Sequence, residues 1–172
     1  MKKTATAFLF LVGSMALLGV RTASAQTSTF MLVPGIPGPA IEVPHVGWIP
    51  VTSLTQTLEN SRTLDLRVKE RKLCAIETVK NLDLSGPLLW AAAMTDQVFA
   101  EVRIDVLQAS GNRRRIYEIK LMNARITAIS TTGTSVYAEK FTLHGESAML
   151  SFFPQRPDGS SDVPVTATFA CN

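Results

Sequence analysis

A mainly β domain with one helix, folded as a sandwich or small barrel, is the class this sequence predicts. Three observations lead there. Apolar and polar residues alternate with period two along several stretches. Clusters of Gly, Pro, Asn and Asp separate those stretches at short spacing. Only one segment is dense in helix formers. Hydrophobic residues make up 46% and charged residues 18% of the 172, which favours a packed domain over a disordered chain. The length suits one domain, and no internal repeat marks a second.

Residues 1–25 read as an export signal. Lys2 and Lys3 form a basic start, and Phe8 to Val20 is an apolar run broken only by Gly13, Ser14 and Gly19. Ala23-Ser24-Ala25 supplies small residues at the spacing a signal peptidase needs, so cleavage is expected between Ala25 and Gln26. The run of about 13 residues is short of the roughly 20 that span a bilayer. No later segment is apolar enough to cross one, so residues 26–172 are expected as a single exported domain, periplasmic or secreted. The formal charge of +3 is carried by Lys2, Lys3 and Arg21, leaving the domain itself neutral. Such a domain lacks the positive field that nucleic-acid binders use.

The elements follow in order. Gln26 to Thr29 is a polar lead-in, and Phe30 to Val33 a short first strand. Val33-Pro-Gly-Ile-Pro-Gly-Pro39 stops any ladder, since its prolines lack N–H donors. Trp48 to Leu54 resumes as a strand. Leu64, Leu66 and Val68 alternate with Asp65, Arg67 and Lys69, and Leu73 to Val79 continues in that style. Leu84 to Gln97 is the one helix, with Ser85 as N-cap and Pro87 in the first turn. In Val98 to Leu107, Val98, Ala100, Val102, Ile104 and Val106 share a face opposite Glu101, Arg103 and Asp105. Ser110-Gly111-Asn112 turns the chain into Arg115–Leu121, with Tyr117, Ile119 and Leu121 facing in. That strand continues through Arg125–Ser130, past an irregularity at Met122-Asn123. Val136–Leu143, the bend at Gly145, the alternation of Ala148, Leu150 and Phe152, the turn at Pro157-Asp158-Gly159 and a last strand over Val163–Ala170 complete about eight strands.

Cys74 and Cys171 are an even pair in a chain bound for an oxidising compartment. They read as a disulfide, the alternative being two buried thiols. Two cysteines without neighbouring histidines are too few for a metal site, and no cofactor is expected. Neither a G-x-S-x-G elbow, nor a phosphate-binding loop, nor an H-E-x-x-H helix is present. His45 lies in a proline-flanked loop. His144 and Ser147 could be drawn as base and nucleophile, but three residues apart on one extended strand they would face opposite ways. Asp65, Glu101 and Asp105 read as a solvated or interfacial strand face. Arg113-Arg114-Arg115, the one run of three like charges, reads as a solvated hairpin tip or a contact for acidic groups on a partner.

Several stretches together resemble one family. Leu82-Asp83-Leu84-Ser85-Gly86-Pro87-Leu88-Leu89 resembles the opening of the single helix of the haemolysin-coregulated (Hcp) proteins, the inner-tube proteins of type VI secretion systems. Tyr117–Leu121, Arg125–Ser130 and Glu139–Glu146 are similar to its central strands and glycine bend. Phe152-Phe153-Pro154-Gln155-Arg156-Pro157-Asp158-Gly159-Ser160 matches its closing stretch, and Val33–Gly38 and Gly47-Trp48-Ile49 echo its early segments.

The resemblance implies a compact β-barrel of about eight strands with one flanking α-helix. It implies hexameric rings that stack into a tube carrying small effectors, with no enzyme activity. Expected partners are other copies of the chain, type VI secretion components and effector proteins. The leader departs from the family pattern, because tube subunits load from the cytoplasm. The alternatives are an exported binding module on the same barrel, or translation starting downstream at Met31.

Overall fold

The computed structural model describes residues 27–61, 71–108, 113–133, 136–156, 160 and 162–171. The leader with its Ala25–Gln26 junction, the Leu64–Lys69 alternation and the turns at Gly111-Asn112 and Pro157-Asp158-Gly159 lie outside these residues. The elements are β1 (Thr27–Leu32), β2 (Ile49–Val51), β3 (Ser53–Ser61), β4 (Arg71–Asn81), α1 (Gly86–Met94), β5 (Phe99–Gln108), β6 (Arg115–Gly133), β7 (Tyr137–His144), β8 (Ser147–Phe152) and β9 (Val165–Ala170).

Every strand pair is antiparallel. The order is β2-β1-β5-β6-β7-β4-β3, with β8 on β6 and β9 on β8. β6 joins two layers: its first half pairs with β5 and β8, its second half with β7. The change of layer falls around Asn123, which adopts a left-handed φ of 48°. The two ends of the strand order are adjacent in the chain, since only Thr52 separates β2 from β3. Thr52 donates its N–H and its hydroxyl to the Val79 carbonyl, at 2.7 and 3.0 Å. The sheet therefore returns on itself through the chain, as a barrel does. This division also corrects the single strand expected over Trp48–Leu54 and brings the described strands to nine.

Period-two burial builds the core. Met31, Ile49, Ile76, Val102, Ile104, Ile119, Leu121, Phe141 and Leu143 meet in one cluster, which Leu89 and Ala92 of α1 cover. The start of β5 departs from the expected alternation: Phe99 is buried, whereas Val98 and Ala100 are exposed. Phe99 pairs with Ala124 and Glu101 with Met122 in one register, and the left-handed Asn123 lies between those two partners on β6. The register shifts only at Val106/Leu107, as a bulge would shift it. Leu107 joins Phe30, Ala40 and Trp48 in a second, smaller cluster.

The helix is shorter than the Leu84–Gln97 expected. Pro87 sits in its first turn, but Ser85 supplies no side-chain cap. The Ser85 hydroxyl instead donates to Asp83. Cys74 and Cys171, 97 positions apart, are bonded in the structure with Cα atoms 5.4 Å apart, joining β4 to the residue after β9.

Candidate functional site

Two clusters of buried charge organise the surface of the barrel. The first sits where α1 begins. Lys80 of β4 and Glu139 of β7 are register partners, and Lys80 Nζ lies 2.6 Å from Glu139 Oε2. Lys80 also donates to Asp83 Oδ1 at 2.9 Å and to the Asn81 carbonyl at 3.0 Å. Asp83 accepts from the Ser85 backbone N–H and hydroxyl as well. Trp90 Nε1 of the helix donates to Glu139 Oε1 at 3.2 Å. Gly86 completes the fit, because a Cβ there would stand 2.7 Å from Glu139 Oε2. The Asp83-x-Ser85-Gly86-Pro87 stretch is thus a clamp that fixes the helix to two strands. Its charges are desolvated, so their pairing is what makes burial tolerable.

The second cluster anchors the long loop between β1 and β2. His45 Nε2 lies 2.8 Å from Asp105 Oδ2, and both side chains are buried. Phe30 stacks on the imidazole and Trp48 meets it edge-on, with ring centroids 5.0 and 4.6 Å away. Of the solvated or interfacial face expected for Asp105, the solvated reading is corrected, because the loop folds over the residue. A network continues along β5 and β6. Arg115 Nη1 lies 2.5 Å from Glu118 Oε1 and 3.5 Å from Asp105 Oδ2, and its guanidinium covers the Phe153 ring. Arg103 bonds Glu101 at 2.9 Å and approaches Glu118 at 3.8 Å, while Lys120 approaches Glu118 at 3.7 Å.

The three arginines singled out in the sequence do not act together. Arg113 pairs with Glu42 of the loop and remains half exposed. Arg115 is committed to Glu118 and Phe153 within its own chain. Arg114 is partly buried beside them. His144 and Ser147 are also placed differently from the expectation. They lie on two strands, at the end of β7 and the start of β8, with the Gly145-Glu146 turn between them. No hydrogen bond joins them among the described residues. Asp65 lies outside the described residues.

His45–Asp105 has the outline of a base and its orienting carboxylate. Yet His45 Nδ1 is buried without a hydrogen-bond partner, and Nε2 is engaged by Asp105. Nor do three or more His, Cys, Asp or Glu side chains converge as metal ligands there. What both clusters do is hold segments rigidly against the barrel. Sequence reasoning missed Lys80 and Glu139 as a buried pair. A signal existed, since each shares the inward parity of its strand, Lys80 with Ile76 and Glu139 with Phe141.

The family model for the type VI secretion system effector Hcp matches residues 30–152. A solved structure of a type six secretion system protein is similar at 14% identity, over 84% of this chain and 96% of that chain, with a TM-score of 0.74. Hcp1 from Salmonella typhimurium aligns at 15% identity over 84% of this chain and 94% of its own, with a TM-score of 0.68. For the secreted protein Hcp3 from Pseudomonas aeruginosa the values are 17%, 86%, 99% and 0.61. At these identities the structural likeness speaks to the fold. No curated protein sequence matches the chain.

Proposed function

The chain belongs to the Hcp family of type VI secretion system proteins, and from that membership we propose that it is a ring-forming tube subunit, structural rather than enzymatic. The observation that carries this reading is the family match across residues 30–152, which runs from within β1 to the end of β8 and includes α1. Head-to-tail contacts between identical protomers close into a ring when the rotation allows. Six copies are the expected closure, with the lumen free for small effectors. Such a ring needs protomers of fixed shape, since each small angular error accumulates around the circle. The Lys80–Glu139 clamp and the His45–Asp105 anchor support that requirement by fixing the helix and the long loop to the barrel.

A second reading is favoured by the leader, with its Lys2-Lys3 start and its Ala23-Ser24-Ala25 site. In it the barrel is exported and serves as a periplasmic or secreted binding module outside any tube. The Cys74–Cys171 bond suits that compartment. Light scattering on protein recovered from fractionated cells separates the two. A mass near six protomers supports the tube subunit, and a monomer at high concentration supports the binding module. The N-terminal residue of the same sample reports the export step: Gln26 supports cleavage after Ala25, and an intact leader opposes it.

A further inference from the structure

The loop between β1 and β2 presents apolar side chains to water on a rigid support. Gly38 N–H donates to the Gly47 carbonyl at 2.7 Å, and Gly47 N–H returns to the Ala40 carbonyl at 2.7 Å. Ala40 N–H bonds the Trp48 carbonyl at 3.1 Å, and Trp48 N–H the His45 carbonyl at 3.0 Å. His45 itself is driven inward onto Asp105. Around this anchor Ile41, Val43 and Val46 remain 86%, 87% and 61% exposed. Glu42, between the first two, is taken by Arg113. Three branched aliphatic residues thus stand in solvent between Ile41 and Val46, on a loop whose two ends these bonds tie together, and this segment is termed the knob.

The same chain carries a hollow of matching chemistry. A cleft of about 190 Å³ opens between β3–β4 and β8–β9, lined by Leu58, Cys74, Ile76, Leu121, Leu150 and Phe169. Apolar cavities of about 150 Å³ hold a six-carbon ring. This cleft therefore has room for about one isoleucine and one valine side chain.

We propose that the knob of one copy seats at the Leu58–Phe169 cleft of the next, with Ile41 and one of the two valines filling it. The inference rests on the ring reading above and names its contact. The two surfaces differ, so the contact is heterologous and repeats around a ring instead of stopping at a dimer. The neutral domain offers no broad charge that would direct the knob to a nucleic acid or an anionic membrane.

The test uses Ile41→Asp to spoil the knob and Leu58→Asp to spoil the cleft. Leu58 is 60% exposed, so neither change strips the core. Circular dichroism melts identify folded variants, and Ile41→Ser serves as a milder second probe. Each variant alone is expected to need about thirtyfold more protein to assemble, the scale of a lost interface anchor. Mixed in equal amounts, the two Asp variants are expected to form heterodimers and nothing larger, because one good knob and one good cleft remain. Rings that persist in both folded variants would overturn the contact while leaving the ring reading intact. So would a mixture that stays monomeric, or an Ile41→Asp change that abolishes binding to phosphatidylglycerol vesicles and spares assembly. A wild-type protein that is itself monomeric would remove both.

Discussion

Lys80 and Glu139 stand directly opposite one another on β4 and β7, and their charged atoms meet at 2.6 Å with both side chains buried. The pair connects a strand pairing to a helix, because Asp83 and Trp90 bond the same two residues from the α1 side.

Lys80→Met is expected to destabilise the protein by about 3–5 kcal/mol, since it leaves Glu139 desolvated with no cation beside it. Replacing both partners, as Lys80→Met with Glu139→Leu, should recover much of the loss. Urea unfolding of the single and double variants measures this. A double-variant loss equal to the sum of the Lys80→Met and Glu139→Leu losses would mean that the pair is not coupled.

Gly86→Ala tests the same clamp from the helix side. Alanine is the better helix former by about 1 kcal/mol, so an unconstrained site would gain stability. Here the new Cβ would stand 2.7 Å from Glu139 Oε2 and 2.8 Å from Oε1, on a carboxylate that Lys80 and Trp90 hold. A net loss of about 1–3 kcal/mol is expected. A gain in melting temperature would show that Glu139 moves freely.

His45→Ala is expected to cost about 2–3 kcal/mol, because the Asp105 carboxylate loses its closest partner beneath the loop. Limited proteolysis should then cut between residues 38 and 48 well before the barrel opens. A loop as resistant as wild type would place its anchoring elsewhere.

The Cys74–Cys171 bond closes a span of 97 positions. In the chain-entropy model that contributes at most about 4–5 kcal/mol. The oxidised protein should weigh two hydrogens less than its reduced form. Cys74→Ala should lower stability toward that limit. Equal masses would show two free thiols.

Asp162 supplies a pH-dependent test. Its carboxyl is held below the ordinary range, chiefly by the hydrogen bond from Arg156 and next by the Val163 N–H. A depressed folded value means the interaction contributes above the unfolded pKa and fades as pH falls through the folded one. Arg156→Ala should move the Asp162 titration upward when followed by NMR. No movement would separate the two residues in solution.

Strand existence was legible in this sequence because one wet face and one dry face impose period two, as in Val102 and Ile104 against Glu101 and Arg103. The break at Thr52 was not, since a threonine bonding the Val79 carbonyl looks like any strand residue. Asp105 misled for a related reason. Its parity marks the face outside the main core, and only the distant loop carrying His45 buries it. The helix start was readable as Ser85-Gly86-Pro87, but the role of Gly86 depends on Glu139, 53 positions away. The arginine run at 113–115 suggested one surface feature, whereas Arg113 pairs with Glu42 and Arg115 with Glu118.

Electron microscopy of the purified assembly most directly examines the claim that this neutral β-scaffold is a ring subunit. Closed rings with a central opening and sixfold symmetry are the predicted image. Isolated single protomers at micromolar concentration would contradict the account.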